Sequence, residues 1–154
     1  MKKISSGLLL YRQSTKGIEV FLVHPGGPYF RDKDNGYWSI PKGLVDKEEN
    51  FLEAAYRELQ EETGISIQGE PISLGSVERS DKIIYAFALE YKEKNLPKIH
   101  SNLFQIEWPP NSGKLASFPE VDKGEFFPID KAYEKIQEAQ RPFLDRLKEF
   151  LGSR

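Results

Sequence analysis

Cysteine is absent from the 154 residues, which excludes disulfides, thiolate chemistry and cysteine-ligated zinc. Histidine is scarce too: His24 and His100 stand far apart, show no metal-ligand spacing, and read as surface or loop residues rather than ligands. No apolar run approaches the ~20 residues needed to span a bilayer. Lys2-Lys3 before Gly7-Leu8-Leu9-Leu10 has the outline of a secretion signal, but the apolar stretch is short and stops at Arg12. An excess of one charge is also missing. Lys and Arg number 22 against 24 Asp and Glu, a net −2, so no general basic field exists to draw nucleic acid or an anionic membrane. The expectation is a soluble cytoplasmic protein with no membrane or nucleic-acid partner. Its length suits one core, and a single domain over 1–154 is expected.

What the chain does have is glutamate concentrated in one stretch, GLVDKEENFLEAAYRELQEETGI, from Gly43 to Ile65. Glu58, Glu61 and Glu62 fall at i, i+3 and i+4, which puts three carboxylates on one helix face. A solvated acidic face is the ordinary explanation of such a pattern. Here it has a cost, because like charges at i, i+4 destabilise a helix by roughly 0.2–0.5 kcal/mol and anions in a last turn oppose the helix dipole. A divalent cation removes both penalties, and Mg²⁺ and Mn²⁺ prefer oxygen ligands. The helix has clear ends: Asn50 as N-cap with Glu53 three residues on, and Gly64 as the closing residue. Leu52, Ala55, Tyr56 and Leu59 make its apolar stripe, while Ala54 leaves room above the carboxylates. Arg57, four residues from both Glu53 and Glu61, is either a helix salt bridge or a group that orients a catalytic carboxylate.

Around this helix the chain alternates strands and turns. Ile4 to Arg12 and Ile18 to His24 read as a strand pair. Pro25 to Gly36 reads as a long loop whose Tyr29, Phe30 and Arg31 serve either as exposed surface or as groups that stack on a base and pair with a phosphate. Trp38 and Ile40 alternate like a strand that Pro41 ends, and Lys42 is an exposed charge or a phosphate contact. Arg31, Trp38 and Lys42 are the candidate substrate contacts. Ile65 to Val77 reads as an irregular strand with turns, and Lys82 to Tyr91 as the clearest, central strand. Arg79 and Lys82 are better explained as charges at a hairpin tip than as phosphate contacts. Leu103 to Trp108 reads as a half-buried strand and Phe126-Phe127 as a short one. Asp130 is expected to cap a helix from Lys131 to Ala139. Pro142 opens a second helix, whose stripe Phe143, Leu144, Leu147, Phe150 and Leu151 is better suited to packing on the sheet than to pairing subunits. Together these make an α/β layered domain.

Gly43, five residues, Glu49, seven residues, then Arg57-Glu58-Leu59-Gln60-Glu61-Glu62-Thr63-Gly64-Ile65 resembles a complete Nudix box, with no departure at any defined position. The resemblance implies the Nudix fold, a mixed β-sheet sandwiched between α-helices. It implies a pyrophosphohydrolase dependent on Mg²⁺ or Mn²⁺ that cleaves a nucleoside diphosphate linked to another moiety. On that pattern the metal ligands are Glu58, Glu61 and Glu62 with the carbonyl of Gly43. Arg57 holds Glu58 or Glu61, and Glu58 either binds metal alone or is shared between metal and base. Glu49 supports the loop or binds metal through water. In such enzymes a later loop often adds a carboxylate, for which Glu120 leads, as general base, with Asp122 and Glu125 as alternatives. The Trp-x-x-Pro-Lys-Gly lead-in is similar to that of Nudix enzymes acting on diadenosine polyphosphates or diphosphoinositol phosphates. It favours a dinucleoside polyphosphate over a nucleotide sugar or a nucleoside triphosphate. The other class open to the fold is a nucleotide-sensing module without turnover, which usually carries a broken box. A monomer and a homodimer both remain open.

Overall fold

The structure is a computed structural model that describes residues 2–96 and 98–152. Its centre is β1 (Lys3–Ser14), whose Leu8, Leu9 and Leu10 are fully buried because the strand is covered on both faces. Around it lie β2 (Gly17–Pro25), β3 (Lys42–Leu44), β4 (Ile72–Arg79), β5 (Lys82–Glu90) and β8 (Val121–Pro128), in the order β4-β5-β1-β2-β8, with β3 also paired to β1. β1 and β5 run parallel and the other pairs antiparallel, so the sheet is mixed, as expected.

Alternation along β1 divides the core into two layers. Leu8 and Leu10 join Phe21, Val23, Ala55 and Leu59 on the face covered by α1 (Phe51–Thr63). Leu9 and Tyr11 join Leu22, Ile40, Leu144 and Leu147 on the face covered by α2 (Ile129–Lys135) and α3 (Arg141–Gly152). The C-terminal apolar stripe is therefore spent within the chain: Phe143, Leu144 and Leu147 are buried against the sheet. Among the described residues, no helix is long and apolar enough to cross a membrane.

The ends of α1 form as the sequence predicts. Asn50 Oδ1 accepts from Glu53 N at 2.8 Å and Glu53 Oε1 accepts from Asn50 N at 3.0 Å, while Gly64, at φ 80°, donates to the Gln60 carbonyl. Other boundaries differ. Residues 38–40 make only isolated bridges, Val23 with Ser39 and Trp38 with Ile136. β8 is eight residues long rather than two, because its polar first half pairs with β2 through Lys123 opposite His24 and Gly124 opposite Val23. An unanticipated β7 (Leu115–Pro119) pairs with β6 (Leu103–Glu107) in a separate hairpin. α2 begins one residue before Asp130, which makes no cap bond, and a 3₁₀ turn (Glu138–Gln140) leads directly into α3.

Candidate active site

β3 pairs antiparallel with β1, Gly7 opposite Lys42 and Ser6 opposite Gly43, and this register lays residues 42–44 against α1. A Cβ on Gly43 would lie 2.1 Å from Glu58 Cδ and 2.2 and 2.4 Å from its two oxygens, so only glycine admits the carboxylate there. Glu58 is 9% exposed, and the helix buries it beside Ala54, Ala55 and Leu59. The Ala54 methyl thus belongs to the covered side of α1, and Leu52 and Tyr56 only to its margin.

Arg57 holds this arrangement. Its Nε and Nη2 donate to the two oxygens of Glu49 at 2.6 and 2.8 Å, Nη1 donates to Glu58 Oε2 at 2.7 Å and Glu61 Oε2 at 3.1 Å, and Nη2 also reaches the Leu44 carbonyl at 2.9 Å. Its expected helix partner Glu53 is absent from this set, because that side chain closes the capping box. Glu49 is the loop's anchor, accepting also from Asp46 N at 3.1 Å. The guanidinium holds the Glu49 carboxyl down at about 2. Burial pushes Glu58 up in spite of Arg57.

Glu62 turns toward Lys42, whose backbone N–H lies 3.4 Å from Glu62 Oε1, and burial pushes its carboxyl up to about 8. Burial also lowers the Lys42 ammonium, against the pull of Glu62. Glu120, between β7 and β8, is raised by burial and then by Glu61. It is held by its backbone: its N–H donates to the Asn102 carbonyl at 2.8 Å and its carbonyl accepts from Gly26 N at 2.9 Å. Glu62, Glu120, Lys42, Tyr37, Ser39 and Gln137 line one cavity of about 140 Å³. A larger cavity, about 740 Å³, lies between the 67–72 segment and Phe150 and contains none of these groups.

Glu58 thus lies within electrostatic reach of Glu61, Glu62 and Glu120, and Glu120 within reach of Glu61 and Glu62. Among the described residues, no three acidic or histidine side chains close into a finished metal cage. Arg57 takes one oxygen each of Glu58 and Glu61 and leaves the other oxygen of each without a partner among the described residues. An all-oxygen, strongly anionic set with free lone pairs fits a hard divalent cation that keeps part of its water shell.

The remaining candidates separate. Trp38 is 2% exposed, stacked edge-on to Phe127 at 4.8 Å with Nε1 bonded to Asp34, so its ring supports the wall and presents no face to a ligand. Its neighbour Tyr37, of opposite parity and 38% exposed, lines the cavity instead. Alternation about Trp38 was the signal available for it; nothing in the sequence marked Gln137. Arg31 lies exposed in the 26–37 loop and outside the cavity lining. Asp122 is taken by His24, and Glu125 lies on β8 opposite Leu22. His24 itself is 1% exposed rather than on the surface: Nδ1 lies 2.8 Å from Asp122 Oδ1 and Nε2 2.6 Å from the Lys33 carbonyl, tying the aromatic loop to β2 and β8.

A mixed sheet between helices, with a glutamate-lined helix clamped to a glycine strand, defines an α/β sandwich of one particular kind. Residues 1–147 match the family described as NUDIX domain, and the chain belongs to that family. An RNA pyrophosphohydrolase of Pelagibacter ubique is 56% identical over 34 residues, 22% of this chain and 22% of that protein. Nudix hydrolase 6 of Arabidopsis thaliana is 29% identical over 114 residues, 70% of this chain. This chain spans 39% of that second relative, well under half of either protein's length. Among solved structures, a C. elegans Ap4A hydrolase binary complex superposes with a TM-score of 0.66 at 19% identity, covering 97% of this chain and 99% of that one. The NUDIX domain of Shewanella oneidensis NrtR complexed with ADP ribose gives 0.67 at 14% identity, covering 98% and 89%. At these identities the likeness is one of fold.

Proposed function

We propose that this chain is a pyrophosphohydrolase that cleaves a nucleoside diphosphate joined to another moiety, with Mg²⁺ or Mn²⁺, and that its substrate class is the dinucleoside polyphosphates. The observation that carries the reading is that Glu62 and Glu120 line one cavity with Lys42, while Glu58 and Glu61, held together by Arg57, stand within electrostatic reach of Glu120. Glu58, Glu61 and Glu62, with the Gly43 carbonyl, would hold the metal. An ion held there would supply charge neutralisation at the phosphate oxygens and a lowered pKa for the attacking water. Glu120 accepts the water's proton; its raised proton affinity suits a general base. Lys42 faces the phosphate chain, and Arg57 positions Glu58 and Glu61 without touching substrate. Tyr37 offers a ring at the same cavity. A soluble, cytoplasmic setting goes with this reading.

The test is a mass-spectrometric product screen with Mg²⁺ and then Mn²⁺ over dinucleoside polyphosphates, nucleotide sugars, nucleoside triphosphates and NADH, with Glu61→Gln as control. Cleavage lost in the variant supports the reading and names the substrate class. Tight nucleotide binding with no product under either metal would replace it with a sensing role.

A further inference from the structure

A second hollow, about 210 Å³, shares Lys42 and Gln137 with the carboxylate cavity and is completed by Arg79, Ser80, Asp81, Lys82, Ile84 and Ala139. The β4–β5 hairpin builds its basic side. Arg79 and Lys82 are register partners on either side of the two-residue turn Ser80-Asp81, with Ser80 at φ 48°. Directly opposed residues of an antiparallel pair project from the same face, and like charges in that position repel. The hairpin keeps both cations even so, and neither has an ion partner among the described residues, whereas neighbouring Glu78 is paired to Lys2. Lys82 is also within electrostatic reach of Lys42. Asp81 is the one carboxylate of the lining, so the hollow carries three cations against one anion.

The two hollows therefore have opposite polarity and meet at Lys42. Glutamates suited to a cation lie on one side, and unpartnered cations suited to an anion lie on the other. A ligand that matches both is a linear phosphate chain, metal-bound at one end and extended toward the hairpin. Building on the pyrophosphohydrolase reading, we infer that Arg79 and Lys82 form a phosphate subsite for the end of a chain longer than a diphosphate, and that this subsite selects substrates by chain length. A nucleotide sugar, with only two phosphates, leaves it empty.

Both side chains are exposed, and removing the repulsion costs the hairpin nothing, so Arg79→Ala/Lys82→Ala should fold. A melting curve checks this. The variant is compared with wild type on diadenosine tetraphosphate, ATP and ADP-ribose. Losing two charge-assisted contacts is expected to lower kcat/KM for the tetraphosphate on the order of 10- to 100-fold, chiefly through KM, with a much smaller change for ADP-ribose. Arg79→Lys should retain most of the preference. ATP separates a requirement for chain length from one for a second nucleoside: a loss on ATP matching that on the tetraphosphate assigns the effect to the chain. Equal losses on tetraphosphate and ADP-ribose, or none, would overturn the subsite. If wild type cleaves none of the three, the hydrolase reading fails separately. Calorimetric titration with inorganic tripolyphosphate in Mg²⁺ then decides the subsite alone: binding weakened about tenfold in the double variant sustains it, and unchanged binding rejects it.

Discussion

In a Gly43→Ala variant the added Cβ arrives 2.1 Å from Glu58 Cδ, far inside van der Waals contact. The backbone accepts alanine, since Gly43 is not among the positive-φ glycines. It is therefore the carboxylate that must yield. To reach ordinary contact it retreats by at least about 1.3 Å, beyond the ~1 Å misplacement that costs about 10²-fold in turnover when the group sits in the reaction geometry. Overpacking adds roughly 1–3 kcal/mol of destabilisation, so the fold should survive while the site fails. Steady-state kinetics with Mg²⁺ and a melting curve measure the two effects separately. Glu58→Gln in the same background tests the route: if the methyl acts through Glu58, the double variant should be little worse than the poorer single one. A Gly43→Ala protein within about threefold of wild-type kcat/KM, or losses that simply multiply, would refute the reasoning.

Arg57→Ala should lower activity by about 10- to 100-fold by releasing Glu58 and Glu61, and Arg57→Lys should not restore it, because one ammonium cannot span Glu49, both helix carboxylates and the Leu44 carbonyl; full activity in the lysine variant would count against the clamp. Glu49 is depressed to about 2, so its contribution to stability is complete above its ordinary value near 4.5 and disappears as pH falls through about 2. Melting temperatures from pH 6 to pH 2 should show wild type losing its advantage over Glu49→Gln, and a constant difference across that range would contradict the pairing. Asn50→Ala removes the side-chain half of the capping box and should cost about 1 kcal/mol in denaturant unfolding, with activity per folded molecule little changed.

The glutamate helix was legible in the sequence because its information is local: the 3.6-residue period, the cap at Asn50 and the glycine stop at Gly64 lie within one short stretch. Its partners were less so. Arg57 bonds Glu61 along the helix and holds Glu58, as expected, but it also takes both oxygens of Glu49, eight residues back, which the chain brings near by folding the loop over the helix. His24 was expected at the surface or in a loop, and Trp38 as a substrate contact in the lead-in to the box. Pairing across β2 and β8 buries the first, and packing on Phe127 buries the second. β7 and the polar half of β8 carry no clear alternation, and their backbone bonds come from strands distant in sequence, a source that local propensity does not record. Glu120, placed by spacing alone, does reach the cleft.

The β6–β7 hairpin is rooted beside the glutamates and meets the aromatic loop at its far end. Asn102 N donates to the Glu61 carbonyl at 2.9 Å and Glu120 N donates back to the Asn102 carbonyl, while the tip rests Trp108 edge-on against Tyr29 at 5.3 Å. Residues can be added to or removed from the tip without disturbing the rungs that seat Glu61 and Glu120. Selection can therefore refit what the arm touches while leaving the seating of the glutamates unchanged, and a grafted tip offers a direct way to separate the two.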